Sequence, residues 1–337
     1  MNATAHILAD KALTPAERLW ALASDDMASV DALILERMQS PIGLIPDLAK
    51  HLVGAGGKRL RPLLTVACAR LCGYEGTHHH KLAAAIEFIH SATLLHDDVV
   101  DESELRRGKK PANLIWGNSA SILVGDYLFA GAFNLMVETD NMVALGILSK
   151  ASSIITQGEV HQLASLRDIN MSEKTYMQVI GAKTAALFAA ATEVAPVISN
   201  QSSPKREALR NYGQKLGLAF QLVDDALDYG GLESALGKSV GDDFREGKVT
   251  LPIIRAYAHA DEEASKFWQR VIVDYDQTEM DLETAVSLLR KAGALDSTMN
   301  MARRYAKEAR NALAIFPESD WRKALEDLAD FVVDRIN

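Results

Sequence analysis

The sequence predicts an all-α protein arranged as one large helical bundle. Apolar residues recur at three- and four-residue spacing through most of the 337 residues, and clear runs of strand-like alternation are missing. Helix start signals agree, because Thr14, Pro15 and Glu17 combine a capping hydroxyl, a proline at the first helical position and a glutamate three residues after the cap. No long linker rich in proline, glycine or serine divides the chain, which favours a single domain over residues 1–337.

The helices follow from the apolar spacing, taken in chain order. We expect them at about 15–38, 44–53, 59–73, 81–101, 119–138, 141–167, 172–199, 204–229, 250–260, 264–274, 279–291, 296–315 and 318–335. Ser203 and Pro204 form a second start signal of the same type as Thr14 and Pro15. The most apolar stretch, 184–199, is rich in alanine and contains Glu193 and Pro196, so it is interpreted as a core helix. Residues 102–118 and 230–249 break the helical rhythm and are predicted to be polar loops next to the chemistry.

Composition excludes several classes of protein. Hydrophobic residues make up 48% and charged residues 24%, enough to bury a sizeable core, and the net charge of -9 argues against a nucleic-acid partner. Cys68 and Cys72 are predicted to be reduced, buried thiols, which fits a cytoplasmic location. The N-terminus lacks a signal-peptide pattern, and no segment has about 18 uninterrupted apolar residues. The triplet His78 to His80 is interpreted as a solvated loop before a helix.

Two similar acidic clusters end long apolar helices about 127 residues apart. They are Asp97, Asp98 and Asp101 in the first cluster, and Asp224, Asp225 and Asp228 in the second. Residues four apart share one face of an α-helix, so the first and last carboxylates of each cluster point the same way. Such carboxylates repel each other unless a hard divalent cation neutralises them, and oxygen-only ligands favour magnesium over zinc. Two solvated helix ends are the alternative, which the repetition of the pattern disfavours.

Basic residues lie beside both acidic clusters. The set consists of Lys58, Arg59, Arg61, Arg106, Arg107, Lys183, Lys238 and Lys248. The first three stand at a helix start, where backbone N–H groups and the helix dipole also favour an anion. Arginine can grip phosphate with two parallel hydrogen bonds, whereas lysine acts as a compact point charge. Any one of these residues alone is an ordinary surface charge, but together they indicate a metal-bound diphosphate and a second diphosphate held by cations.

Other phosphate and hydrolytic chemistries lack their motifs. The sequence contains no Gly-x-x-x-x-Gly-Lys-Ser/Thr loop, no Gly-x-Ser-x-Gly elbow and no His-Glu-x-x-His. Ionisation of a diphosphate ester is the remaining interpretation.

The sequence resembles the trans-isoprenyl (polyprenyl) diphosphate synthases over about residues 45–260, and most of all those that make octaprenyl or decaprenyl diphosphate. The motifs that carry the resemblance are GGKRLRP at 56–62, LLHDDVVDESELRRGK at 94–109, GDYLFA at 125–130, GEVHQL at 158–163, KTAALF at 183–188, QLVDDALDYGG at 221–231 and GKSVGDDFREGKVTLP at 237–252. The resemblance implies the all-α isoprenoid synthase fold with a central cavity, and a homodimer.

The resemblance also implies a role for each site residue. Asp97, Asp101, Asp224 and Asp228 would bind magnesium, with three ions in each site, and Asp98 and Asp225 would support catalysis. The allylic diphosphate would be held by Arg106, Lys183 and Lys238. Isopentenyl diphosphate would be held by Lys58, Arg61, His90 and Arg107. Thr184 and Gln221 would line the reacting centre; for His90 a polar core position that caps a neighbouring helix is the alternative.

The implied reaction condenses isopentenyl diphosphate repeatedly onto an allylic diphosphate such as farnesyl diphosphate. The product is a long all-trans chain, octaprenyl or decaprenyl, delivered to the membrane for the ubiquinone side chain. A short-chain farnesyl or geranylgeranyl diphosphate synthase and a non-catalytic partner subunit are the alternatives. Ala92 and Thr93 stand where short-chain relatives have bulky aromatic residues, so we expect an open tunnel for the growing tail.

Overall fold

The computed structural model describes residues 13–54, 59–102, 109–230 and 241–334, and every regular element in these ranges is helical, as predicted. In chain order the α-helices are α1 (Pro15–Leu22), α2 (Ser24–Arg37), α3 (Leu44–Gly54), α4 (Leu60–Leu71), α5 (His78–Val100), α6 (Ala112–Trp116), α7 (Asn118–Val137), α8 (Met142–Ala164), α9 (Glu173–Ile180), α10 (Ala186–Ile198), α11 (Ser203–Gly230), α12 (Asp242–Arg245), α13 (Leu251–Tyr257), α14 (Glu262–Trp268), α15 (Asp281–Lys291), α16 (Ala294–Ala312) and α17 (Asp320–Asp334). Two π-helical segments, Gly181–Ala185 and Gln269–Val273, follow α9 and α14, and the 3-10 helix Leu313–Ile315 follows α16.

The first helix starts as the sequence predicts. The Glu17 amide donates to Thr14 Oγ1 at 3.2 Å, and the Thr14 amide donates to Glu17 Oε2 at 2.7 Å, so both orphan donors are satisfied. The helix then ends at Leu22, and Ala23 separates it from α2. The single helix predicted over 15–38 is therefore wrong at this point. Ser24 and the aspartates after it favour a new helix start, which interrupts the apolar spacing only slightly.

The core of the bundle lies between the long helices. Helix α11 packs most extensively along α16, α5 along α7, and α10 along α11. The predicted core helix is confirmed as α10, most of whose residues are buried. Its few polar contacts are satisfied, since Thr65 on α4 donates to the Ala191 carbonyl at 2.9 Å and Thr192 donates to the Leu209 carbonyl at 2.6 Å.

Two short helices lie in the stretches predicted to be loops. Helix α6 is within 102–118, and α12 is within 230–249. Phe244 on α12 is 1% exposed and joins a second apolar cluster with Trp268 and Ile272. A four- or five-residue helix is too short to show apolar periodicity, so the sequence gives no signal for it beyond the buried aromatic residue.

One helix in the described ranges, α7, is long and apolar enough to cross a membrane by length and composition. Its mean hydropathy is 1.5 over an 18-residue window, of which 44% is buried. Asp126 and Asn134 interrupt its apolar sequence. Helix α7 packs along α5 and also leaves Leu123 and Val137 exposed.

The histidine triplet is not a solvated loop, which corrects the prediction from the sequence. His78 begins α5, and the side chain of His79 is fully buried. Asp26 on α2 accepts from His79 Nε2 at 3.0 Å and from His80 Nε2 at 2.8 Å, and it also binds the Arg70 guanidinium through both oxygens. The cluster joins α2, α4 and α5. A polar residue at a helix start looks solvated until its long-range partner is known.

This cluster predicts how stability depends on pH. Burial, helped by the charge of His80, lowers the pKa of His79 from 6.5 to about 4. Between these values the unfolded chain binds a proton that the folded protein disfavours, so the contribution of His79 to the free energy of unfolding should fall as the pH falls from about 6.5 to about 4, by about 3 kcal/mol. Urea unfolding at several pH values measures this loss.

Two variants test whether His79 causes this loss of stability at low pH. His79→Gln keeps an N–H donor toward Asp26 but does not titrate, so it should weaken the pH dependence of the free energy of unfolding. His78→Gln, one residue earlier, should retain it. Equal pH dependence in the wild type and in His79→Gln would contradict the assignment to His79.

Candidate active site

The first acidic cluster stands at the C-terminal end of α5. Asp97 and Asp101 are one helical turn apart and partly exposed, with 17% and 24% of their side chains accessible. Asp98 is only 1% exposed, and its backbone carbonyl accepts from Asn113 Nδ2 at 3.0 Å. The predicted pairing of the first and last aspartates on one helix face is therefore present, whereas Asp98 is buried.

Two half-buried lysines approach these carboxylates. Lys183 Nζ lies 2.7 Å from Glu159 Oε2 and 3.8 Å from Asp97 Oδ2. Lys248 Nζ lies 3.0 Å from Asp101 Oδ2. Burial and then the charge of Asp97 raise the pKa of Glu159. Burial alone would lower the pKa of Lys248, but the nearby carboxylates, Asp101 first among them, outweigh it and raise that pKa. Lys248 thus keeps its positive charge beside the acidic cluster.

The three carboxylates of the second acidic cluster differ in burial and in hydrogen-bond partners. Asp224 is half-buried. Asp228 is 6% exposed and accepts from the backbone amides of Asp242 at 3.2 Å and Asp243 at 3.1 Å, so it caps α12. Asp225 is 2% exposed and faces α9. Its pKa is raised, chiefly by burial and then by the charge of Asp243, while the hydrogen bonds that it accepts act in the opposite direction.

The segment 241–248 brings the two acidic clusters together. Its beginning is capped by Asp228 of the second cluster, and its end, Lys248, pairs with Asp101 of the first. One aspartate of each cluster is therefore tied to the same segment, and Lys183 and Lys248 lie beside the first cluster. The oxygen-only donor set of the two clusters fits Mg²⁺ rather than zinc.

A π-helical segment carries Lys183 and Thr184. π-bulges inside helices often occur at functional sites, and this one lies between α8 and α11. Close approach requires glycine on both neighbours. A Cβ at Gly158 would lie 2.8 Å from Ala182 Cβ and 2.9 Å from Lys183 N, and one at Gly217 would lie 2.7 Å from Ala185 Cα. Because they lack side chains, these two glycines allow the π-helical segment to pack closely against α8 and α11.

The predicted phosphate-binding residues are only partly described. Lys58, Arg106, Arg107 and Lys238 lie outside the described residues. Arg61 is half-buried, with its guanidinium 4.5 Å from the centre of the Phe188 ring. Arg59 pairs with Asp31 at 3.2 Å and Glu87 at 3.8 Å, so it does not add a free cation at the start of α4. His90 is half-buried on α5.

The two residues predicted to set product length lie on different faces of α5. Thr93 is half-buried, shares the face of Asp97, and donates through Oγ1 to the His90 carbonyl at 2.9 Å. Ala92 is 1% exposed and belongs to the stripe of Phe88, whose ring lies against Gly131 on α7. Phe129 and Phe133, on α7, form an edge-to-face pair with ring centres 5.3 Å apart.

Two residues near the site had no role in the prediction from the sequence. Glu159 holds Lys183, and Tyr176 donates a short hydrogen bond to Asp225. Tyr176 stands seven residues before Lys183, close to two helical turns, which places both on the same side of one helix. That spacing is the signal that could have revealed Tyr176. Glu159 lies within the motif at 158–163, but its position alone does not show which cation it binds.

Comparison with known proteins gives consistent matches over nearly the whole chain. The polyprenyl synthetase family model matches residues 43–289. The octaprenyl diphosphate synthase of Escherichia coli (strain K12) is 43% identical over 319 residues, which cover 95% of this chain and 98% of that protein.

Two solved structures are similar in sequence and in fold. A polyprenyl synthase from Caulobacter crescentus CB15, complexed with calcium and isoprenyl diphosphate, is 57% identical with a TM-score of 0.93, and the match covers 96% of this chain and 98% of the other. A decaprenyl diphosphate synthase from Rhodobacter capsulatus is 52% identical with a TM-score of 0.92, and the match covers 96% of this chain and all of the other (100%).

Proposed function

The chain belongs to the polyprenyl synthetase family, and from this premise we propose that it is a long-chain all-trans polyprenyl diphosphate synthase that makes octaprenyl or decaprenyl diphosphate. The observation that carries the proposal is that the segment 241–248 joins Asp228 of the second acidic cluster to Asp101 of the first, beside which Lys183 also lies. Similarity to octaprenyl and decaprenyl diphosphate synthases over almost the whole chain supports a long product.

The substrates are an allylic diphosphate, such as farnesyl diphosphate, and isopentenyl diphosphate. Asp97, Asp101, Asp224 and Asp228 would hold Mg²⁺, three ions in each site, which supplies positive charge to the leaving diphosphate. Lys183, with Arg106 and Lys238, would hold the allylic diphosphate. Isopentenyl diphosphate would bind to Lys58, Arg61, His90 and Arg107.

The reaction has three steps. The C–O bond of the allylic diphosphate breaks, and its electron pair leaves with the diphosphate. The double bond of isopentenyl diphosphate then attacks the allylic cation and forms the new C–C bond. A proton leaves to the released diphosphate, which restores a double bond in a chain five carbons longer. Preorganised cations stabilise the charge that develops, and apolar helices exclude the water that would otherwise capture the cation.

Further parts of the proposal concern the surroundings of the enzyme. A homodimer is supported by exposed apolar residues on α7 and α8, among them Leu123, Val160 and Leu163. Light scattering during size-exclusion chromatography tests the homodimer, and a monomer would contradict it.

The free, buried cysteines fit a cytoplasmic location. The product would pass to the membrane for the ubiquinone side chain, which deletion of the gene, followed by quinone analysis, tests.

A product assay tests the central proposal. Purified protein is incubated with labelled isopentenyl diphosphate, farnesyl diphosphate and Mg²⁺, and the product length is measured by mass spectrometry. We expect chains of eight to ten isoprene units. Products of twenty carbons or fewer would identify a short-chain synthase, and no product would identify a non-catalytic partner subunit.

The two basic groups should separate the two substrates in kinetics. Arg61→Ala should chiefly raise KM for isopentenyl diphosphate, on the order of tenfold, whereas Lys183→Ala should chiefly impair use of the allylic substrate. Arg59→Ala is the matched control, because that guanidinium pairs with Asp31 and Glu87 instead. Equal effects on both substrates in both variants would show that the assignment of the basic groups is wrong.

A further inference from the structure

A continuous chain of hydrogen bonds runs from α9 to the π-helical segment. Thr184 Oγ1 donates to Gln221 Oε1 at 2.7 Å, and Gln221 Nε2 donates to Asp225 Oδ1 at 2.7 Å. Tyr176 donates its hydroxyl hydrogen to the other oxygen, Asp225 Oδ2. The chain therefore connects α9, α11 and the segment that carries Lys183.

Burial makes this chain specific. Tyr176, Asp225 and Thr184 are 3%, 2% and 7% exposed, so a group that loses its partner here cannot bond to water instead. The two bonds of Gln221 allow only one orientation of its amide, oxygen toward Thr184 and nitrogen toward Asp225. Fully satisfied buried networks of this kind hold side chains in one arrangement.

We propose that Tyr176 is a positioning residue, which acts through Asp225 and Gln221 to fix Thr184 at the reacting centre. This inference rests on the proposed function, because the reacting centre is defined by it. Asp225 is turned toward α9 by Tyr176, so the middle carboxylate of the second acidic cluster serves the network while its neighbours border the cation region. Tyr176 would therefore act through Asp225 rather than by touching the substrate.

A double-mutant cycle tests the connection. Tyr176→Phe and Thr184→Val each remove one hydroxyl and keep the side-chain size. Each should lower kcat on the order of tenfold, the scale found for outer partners of active-site groups, while KM for both substrates stays within about twofold. Independent effects would multiply to about a hundredfold loss in the double variant. A shared network predicts that the double variant is only about as slow as the worse single variant.

Controls separate positioning from general loss of stability. Tyr212 on α11 is fully buried and donates its hydroxyl hydrogen to the Leu325 carbonyl at 2.8 Å. The variant Tyr212→Phe therefore removes an equivalent buried hydrogen bond outside the network. It should lower the melting temperature but leave kcat unchanged. Thr184→Ser, which retains the hydroxyl, should recover most of the turnover lost in Thr184→Val.

The outcomes distinguish the inference from the proposed function. If the wild type makes no polyprenyl product, the proposed function fails. If the wild type is active and either Tyr176→Phe keeps full kcat or the two losses multiply, the positioning role is overturned. If Tyr176→Phe does not fold, Asp225→Asn tests the same connection against Thr184→Val, with the same two expected results.

Discussion

Asp97→Ala and Asp224→Ala are each expected to lower kcat by about 10²- to 10³-fold or more, with helix content unchanged. Both carboxylates are partly accessible, and Lys183 Nζ lies 3.8 Å from Asp97 Oδ2. Removing one would leave the negative diphosphate with less cation to stabilise it as the C–O bond breaks. The loss should appear in kcat and in the Mg²⁺ concentration that gives half-maximal rate.

Variants of other acidic residues serve as controls for the Asp97→Ala and Asp224→Ala test. Glu262→Ala removes an exposed carboxylate on α14, which pairs only with Lys266 nearby, and should change neither rate nor metal dependence. Asp228→Ala is a less direct test, because Asp228 also caps α12 through two backbone amides and its loss should disturb that helix. Near-normal rates in both Asp97→Ala and Asp224→Ala would remove the argument for paired carboxylate sites.

The parts of the fold that depend on local periodicity were predictable from the sequence. The spacing of apolar residues gave the long helices, and the i, i+4 rule placed Asp97 and Asp101 on one face, as the structure confirms. The short helices α6 and α12 were missed because they depend on single buried residues such as Phe244. The break at Ala23 and the π-helical segment were missed because neither changes the apolar pattern enough.

The site was less predictable where long-range partners decide the role of a residue. Within the second acidic cluster the sequence treats three aspartates alike, yet Asp225 turns toward Tyr176 and Asp228 caps a helix 14 residues later in the chain. His79 looked solvated because Asp26, its partner, lies 53 residues away. Such contacts depend on which helices become neighbours, and that arrangement is a property of the whole bundle.

We expect product length to depend on α5 in the turns before Asp97. Five residues at about 1.5 Å rise place Ala92 about 7.5 Å from Asp97 along α5, a depth that a short tail reaches. A tail could extend along either of two faces of α5. One is the face of Thr93 and Asp97, and the other is the stripe of Ala92 and Phe88, where Phe88 lies against Gly131 on α7. Because Ala92 is 1% exposed, a tail on the second face would have to displace the residues packed around it.

Ala92→Phe is expected to shorten the product to roughly farnesyl or geranylgeranyl length while activity survives, because the larger ring would obstruct the tail at this turn of α5 and leave the diphosphate sites unchanged. Overpacking should cost about 1 to 3 kcal/mol of stability, so the melting temperature is measured beside the product length. Thr93→Phe blocks the other route, and Thr93→Val, which keeps the volume, is its control and should make full-length chains. Shortening by Thr93→Phe alone would place the tail on the Asp97 face. Full-length product from both phenylalanine variants would contradict a tail that extends past this turn of α5.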